Sequence, residues 1–238
     1  MPIYHENKVP AHGSADATVF LLNEAPGDCE ATELIPLVAT QGGMLRRHLQ
    51  LAGIVWAEKL GSFPWPRIVR SARKGGNLPE VIEQYKKRDA ALRLRAQYIT
   101  CSNAFDRWPQ PLNGKAKFAD PDAADVLSNE NLERLQKDVA CNHRVILICG
   151  EFAWLACFGA KLKNLKAKER ERLSDDDVKV INARFGSKFQ AGWYMGHTGR
   201  WNFEVVKPMG AVTVPQVLRQ VARLLKWRLQ EPVSEKPQ

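Results

Sequence analysis

The chain has 238 residues, 45% of them hydrophobic, which is enough for one domain with a full core and requires no second one. Lys and Arg outnumber Asp and Glu by 35 to 26, for a formal charge of +9 and a pI near 9.4, so a polyanionic partner is favoured, against the alternative of a merely soluble basic protein. No apolar stretch approaches the roughly 20 residues of a membrane-spanning helix, and Met1-Pro2-Ile3-Tyr4-His5 lacks the order of a leader; the expectation is a soluble, cytoplasmic monomer that does not engage membranes.

In chain order, the first strong element is the apolar run Thr18-Val19-Phe20-Leu21-Leu22, read as a buried strand. It empties into Asn23-Glu24-Ala25-Pro26-Gly27, a Pro-Gly turn with a carboxylate at its mouth, where open α/β sheets hold ligands. A helix is predicted from about Gly43 to Ala52, with Met44, Leu45, His48, Leu49 and Ala52 on one face and Gly53 as its stop. The segment from Trp56 to Gln97 carries Pro64-Trp65-Pro66 and then Arg70, Arg73, Lys74, Lys86, Lys87, Arg88, Arg93 and Arg95. It reads either as a DNA-following surface whose aromatics Trp56, Phe63 and Trp65 stack on bases, or as an ordinary solvated helix over Glu80 to Ala96.

Tyr98-Ile99-Thr100 begins a second strand that runs toward Ser102-Asn103, and residues 113–125 read as loop. An amphipathic helix over Asn131 to Cys141 feeds a strand Val145 to Cys149, followed by Gly150-Glu151 at a helix start. Ser174-Asp175-Asp176-Asp177 reads as a cap or solvated surface rather than a metal site. Trp193-Tyr194-Met195-Gly196-His197 is a further strand with a histidine at its end. Thr213 and Gln216 form a capping box around Pro215, opening a core helix with Val214, Val217, Leu218, Val221, Leu224 and Leu225 on one face. Strand and helix alternate, so the expected fold is a three-layer α/β/α with a central, mainly parallel four-stranded sheet. The expected organisation is one domain over residues 1–230, with a basic insertion at about 56–97 and a disordered polar tail at 231–238.

Glu24-Ala25-Pro26-Gly27, with Pro36, Val38, Gly42 and Leu45 downstream, resembles the first motif region of family 4 uracil-DNA glycosylases, Gly-Glu-Ala-Pro-Gly in that family. Ser102-Asn103-Ala104 looks like the strand end whose Asn reads the base edge, and Met195-Gly196-His197 looks like the lead-in to the second motif. That motif is His-Pro-Ser in the family and His197-Thr198-Gly199 here. The resemblance implies a uracil-DNA glycosylase-like fold and a monofunctional DNA glycosylase, with DNA as the partner. The five cysteines include no short-spaced N-terminal pair, so the family's [4Fe-4S] cluster is not expected; neither is zinc, and no cofactor or metal is assigned.

Excision of a base by hydrolysis needs a nucleotide flipped out of the stack, a positioned water and stabilisation of an oxocarbenium-like sugar and a departing base anion. Glu24 fits the water or the sugar, with Asp28 as a second carboxylate that reads equally as a helix cap. His197 fits the oxygen on which the leaving base gathers charge, against the alternative of a packed histidine. Asn23, Ala25, Pro26, Gly27, Leu37 and Asn103 are the expected substrate contacts. Arg73, Lys74, Thr198, Gly199, Arg200 and Trp201 are the expected DNA contacts, with Arg200 or Trp201 as the wedge that fills the gap behind the flipped nucleotide. The family's stacking Phe after Pro36 is Leu37 here, which removes about 1 to 3 kcal/mol of stacking per base and points to a roomier pocket. Uracil and a hypermodified cytosine of viral DNA are the two substrate options, the latter implying phage defence. A binding protein that has lost chemistry is the reading from another class.

Overall fold

A computed structural model describes residues 3–61, 78–110, 120–139, 142–161, 163, 168–198, 201 and 212–230. Four short apolar segments form its central sheet: β2 (Val19–Asn23), β3 (Ile99–Asn103), β5 (Val145–Ile148) and β6 (Ala191–Tyr194). All pairings are parallel and the order is β3-β2-β5-β6, so the first strand of the four lies inside and its successor at an edge. Parallel strands covered on both faces read as continuous hydrophobic runs, which is why Val19–Leu22 and Val145–Ile148 carry no polar alternation. A separate antiparallel ribbon pairs β1 (Ile3–Lys8) with β4 (Arg107–Gln110), Tyr4 opposite Pro109.

The pleat divides the core. Val19, Leu21, Ile99, Cys101, Val145 and Leu147 face a layer built from α2 (Thr40–Leu51), the 3-10 helix Val55–Leu60, the end of α3 (Leu78–Ala96) and α8 (Val214–Leu224). Phe20, Leu22, Ile146 and Ile148 face α5 (Asn129–Asp138), α6 (Glu151–Phe158) and α7 (Asp175–Phe185). Two short helices, α1 (Asp28–Glu33) and α4 (Ala123–Val126), fill loops; α4 falls in the stretch read as loop, where the Asp122 carboxylate caps Ala124 N at 2.9 Å. A fully buried Leu of such a core contributes roughly 1.5–3 kcal/mol, so the two faces supply most of the stability.

The three-layer architecture is as expected, and so is the capping box of α8 through Thr213 and Gln216; the cap expected at Ser174 is a full capping box with Asp177 at the start of α7. Helix α2 starts three residues ahead of the expected Gly43, because Gly42 and Gly43 lie within its first turn and do not end it. The tail at 231–238 lies outside the described residues, as do Phe63, Trp65 and Arg70.

Both sheet edges are covered by segments that are not strands. At β3, His12 N donates to Cys101 O at 2.9 Å and Cys101 N donates back to His12 O at 3.0 Å. At β6, Leu173 N donates to Gly192 O at 2.9 Å, and Tyr194 N donates to Glu171 O at 3.1 Å.

Candidate active site

Ligands in open parallel sheets lie beyond the carboxyl ends of the strands. Here those ends deliver Asn23 and Glu24 from β2, Asn103 from β3, Gly150 after β5 and His197 after β6. A cavity of about 530 Å³ opens at this end, lined among others by Asn23, Glu24, Ala25, Pro26, Gly27, Asp28 and His197.

Glu24 is held at both carboxylate oxygens. Its Oε1 accepts a short hydrogen bond from Glu151 N and a second from Phe152 N at 3.4 Å, so the carboxylate sits on the first turn of α6, where unpaired amides and the helix dipole favour a negative charge. Its Oε2 lies 3.0 Å from His197 Nε2. Close approach to the helix start is possible because Gly150 has no side chain: a Cβ there would lie well inside 3.0 Å of Glu24 Oε1, Cδ and Cγ. The Gly150 backbone, φ 101° and ψ 175°, is a region open essentially to glycine alone.

His197 side-chain exposure is 42%, against 18% for Glu24, so the ring borders the opening while the carboxylate lies deeper. The strand end before it is held on both sides of Met195: its amide donates to Ile148 O at 2.8 Å, and its carbonyl accepts a short hydrogen bond from Arg170 Nη1 and one from Trp201 Nε1 at 3.3 Å. Arg170 is buried and was not singled out in the sequence.

A second polar cluster shapes the loop from Gly27 to Val38. Glu30 is fully buried; its Oε2 accepts from Gly27 N at 2.7 Å and its Oε1 takes a short hydrogen bond from Leu37 N. Burial pushes the Glu30 carboxyl up to about 7, against the downward pull of those two amides and Arg95. Arg95 completes the clip, donating to Leu37 O at 2.8 Å and Pro36 O at 3.0 Å.

This clip overturns the expected role of Leu37. With φ 53° and both backbone polar groups engaged, Leu37 directs its side chain into the core beside α2, fully buried and outside the cavity lining. Asn103 is also fully buried; both atoms of its amide lack a hydrogen-bond partner among the described residues, and it does not reach the cavity lining. Its backbone is fixed from α5, where Arg134 Nη2 donates to Asn103 O at 2.8 Å and Asn131 Nδ2 to Ala104 O at 2.7 Å.

The DNA-contact expectations fare differently. Trp201 is a core residue with no exposed surface, its carbonyl 3.0 Å from His48 Nε2, so it cannot serve as a wedge in this arrangement. Thr198 is buried and donates to Asn23 Oδ1 at 3.1 Å; it braces the pocket floor and does not face a duplex. Trp56 is likewise internal, stacked on Tyr98 at 4.2 Å with the rings 1° from parallel and met edge-on by Trp227. Arg88 and Arg95 are buried, Arg88 against Glu33 at 3.1 Å, whereas Lys86, Lys87 and Arg93 are exposed along α3. Arg73, Lys74, Gly199 and Arg200 lie outside the described residues.

Asp28 begins α1, exposed at the cavity mouth, with Gly27 as the helix N-cap. The rest of the wall includes Cys29, Glu30 and Ala39 and residues the sequence did not single out: Thr40 and Gln41 at the start of α2, Trp108 and Pro109 from β4, and Asp120 with Pro121. Gln41 Oε1 accepts from Asn23 Nδ2 at 3.3 Å, so the Asn23 amide is held from two sides, by Gln41 and Thr198. Among the described residues no group of three or more His, Cys, Asp or Glu is placed to hold a metal ion, and no helix is long and apolar enough to cross a membrane. The chain matches no protein-family model, and it matches no curated protein.

Proposed function

We propose that the protein is a DNA glycosylase that hydrolyses the N-glycosidic bond of an extruded, non-standard base. The observation that carries this reading is Glu24: a half-buried carboxylate at the mouth of the Pro-Gly turn, seated on the N-terminus of α6 and paired with His197 inside a cavity at the carboxyl ends of a parallel sheet. The resemblance of Glu24-Ala25-Pro26-Gly27 and His197 to the two motifs of uracil-DNA glycosylases supports it, since these two residues meet at 3.0 Å from positions 173 residues apart in the chain.

In the reaction the C1′–N bond breaks with its electron pair leaving on the base and a water oxygen bonds to C1′; one water proton stays on the new C1′ hydroxyl, the other is given up, and the departing base takes up one proton in net. Glu24, with three donors holding it, acts as a fixed anion that compensates positive charge on the sugar as it develops; little reorganisation is needed at that moment. It also fixes the orientation of the His197 ring through Nε2. A doubly protonated ring donates from both nitrogens and can stabilise the charge gathered on the leaving base. The products are free base and an abasic site, and no cofactor takes part.

A cavity of about 530 Å³ falls in the range of sites that take drug-sized ligands and exceeds what a plain pyrimidine fills, which supports a base with an added substituent such as a glycosylated hydroxymethylcytosine. Excision of such a base from viral DNA is a defensive activity. The test is incubation of the purified protein with duplexes carrying uracil, 5-hydroxymethylcytosine or its glucosylated form, with alkali cleavage and mass spectrometry of released bases. Release of the glucosylated base supports the whole reading, release of uracil alone assigns repair, and release of none refutes glycosylase activity.

A further inference from the structure

A base taken out of the stack loses its π neighbours, and pockets that accept bases replace them with an aromatic face. Position 37 cannot supply one here. Its backbone is clamped by Glu30 on the amide and Arg95 on the carbonyl, and its side chain points into the core, so a ring at that place would not reach the cavity. Of the described residues that line the cavity, the aliphatic and proline side chains are Ala25, Pro26, Ala39, Pro109 and Pro121, and among them the one indole or phenyl ring is that of Trp108.

Trp108 reaches the cavity from an element outside the central sheet. It is the second residue of β4, whose pairing to β1 sets Arg107 opposite Lys8 and Pro109 opposite Tyr4. Its ring is half-buried, with the His5 ring 6.1 Å away at 37° on the ribbon side. It is less buried than Trp56 and Trp201, which belong to the core. The neighbouring wall is acidic, with Glu24, Asp28 and Asp120, which disfavours phosphate in the cavity and is compatible with an uncharged base.

Building on the glycosylase reading, we propose that Trp108 is the stacking platform for the extruded base and the principal determinant of which base the pocket retains. The ribbon β1–β4 is then a specificity element carried on the catalytic sheet, and a change of substrate would be made there and not in the Pro-Gly turn. A broad indole tolerates a larger ring system than a phenyl group does, in line with a substituted base.

The test has two arms on the full chain. In the first, base release by wild type, Trp108→Phe and Trp108→Ala is measured on whichever of the three modified duplexes the wild type cleaves. Loss of stacking should lower kcat/KM about 5- to 150-fold in Trp108→Ala, chiefly through KM, while Trp108→Phe stays within about threefold of wild type and circular dichroism is unchanged. In the second, a single-stranded oligonucleotide with one 5-iodouracil is photo-crosslinked to the wild type and the labelled peptide is mapped; the expected label is on Trp108. Equal turnover by Trp108→Ala and wild type overturns the inference while leaving the glycosylase reading intact. If the wild type releases no base, that reading fails, and the crosslink decides separately: a label on Trp108 sustains the stacking platform, and a label elsewhere or none overturns it.

Discussion

Replacing Gly150 by Ala should separate folding from chemistry. The substitution carries two costs. An L-residue at φ 101°, ψ 175° is strained by about 1–3 kcal/mol, and the new methyl would stand well inside 3.0 Å of three Glu24 atoms. The second is relieved by moving the Glu24 carboxylate, because the α6 backbone is packed against the sheet and the side chain is the softer partner. Against a typical total stability of about 5–15 kcal/mol the fold survives, with a fall in Tm of roughly 2–12 °C for a chain of this size. Activity is hit harder: displacement of a catalytic group by about 1 Å costs on the order of 100-fold. Because the loss acts through Glu24, it should not add to the loss in Glu24→Ala; Gly150→Ala/Glu24→Ala should be no slower than Glu24→Ala and more stable than Gly150→Ala. The assay is single-turnover base release with thermal melts on all four proteins. Turnover by Gly150→Ala near the wild-type value, or fully additive losses, would refute the argument.

Other outcomes follow from the same geometry. Glu24→Gln keeps an oxygen for the α6 amides but removes the charge, so it and His197→Ala should each slow base release about 10- to 1000-fold while DNA affinity by fluorescence anisotropy stays within about threefold. Glu30 titrates near 7 in the fold against an ordinary 4.5; between those values the folded chain binds more protons, and the stability due to this group is therefore present at low pH and lost as pH rises toward 7. Unfolding free energies of wild type and Glu30→Gln from urea titrations should accordingly diverge by roughly 3 kcal/mol in favour of the wild type on going from pH 8 to pH 4, and a constant gap would sink the assignment. Trp201→Ala should cost about 3–5 kcal/mol in chemical denaturation, as a buried ring does, with no change in the salt slope of DNA binding. Arg73→Ala and Lys74→Ala should instead reduce that slope by about one each in titrations across salt concentration, without altering Tm.

The sheet and the turn were legible because they rest on local signals. Runs such as Val145–Ile148 leave no polar face, so a covered parallel strand is what they can form, and Thr213, Pro215 and Gln216 announce α8 through backbone capping alone. What escaped the sequence was burial decided by distant partners. Arg95 and Arg88 look like solvent-facing members of a basic helix until Pro36, Leu37 and Glu33 supply the acceptors that make their burial tolerable. Trp56 and Trp201 carry both apolar area and a donor, so the residue type suits a core and a DNA face equally. The cavity wall at Trp108 was hidden for a further reason: β1 and β4 are about a hundred residues apart, and nothing in either marks the other as its partner.

The covered sheet edges have a consequence for how copies of this chain meet. A parallel four-stranded sheet left bare would offer rows of amides and carbonyls to any extended segment nearby, the route by which β proteins polymerise. His12 takes up backbone groups of Cys101 along one rim, and Glu171 with Leu173 takes up those of Gly192 and Tyr194 along the other. Recruitment of a foreign strand at these positions must first displace bonds already made within the chain. Association of copies by strand addition at these two positions is thereby discouraged, and a contact made there has to use side chains.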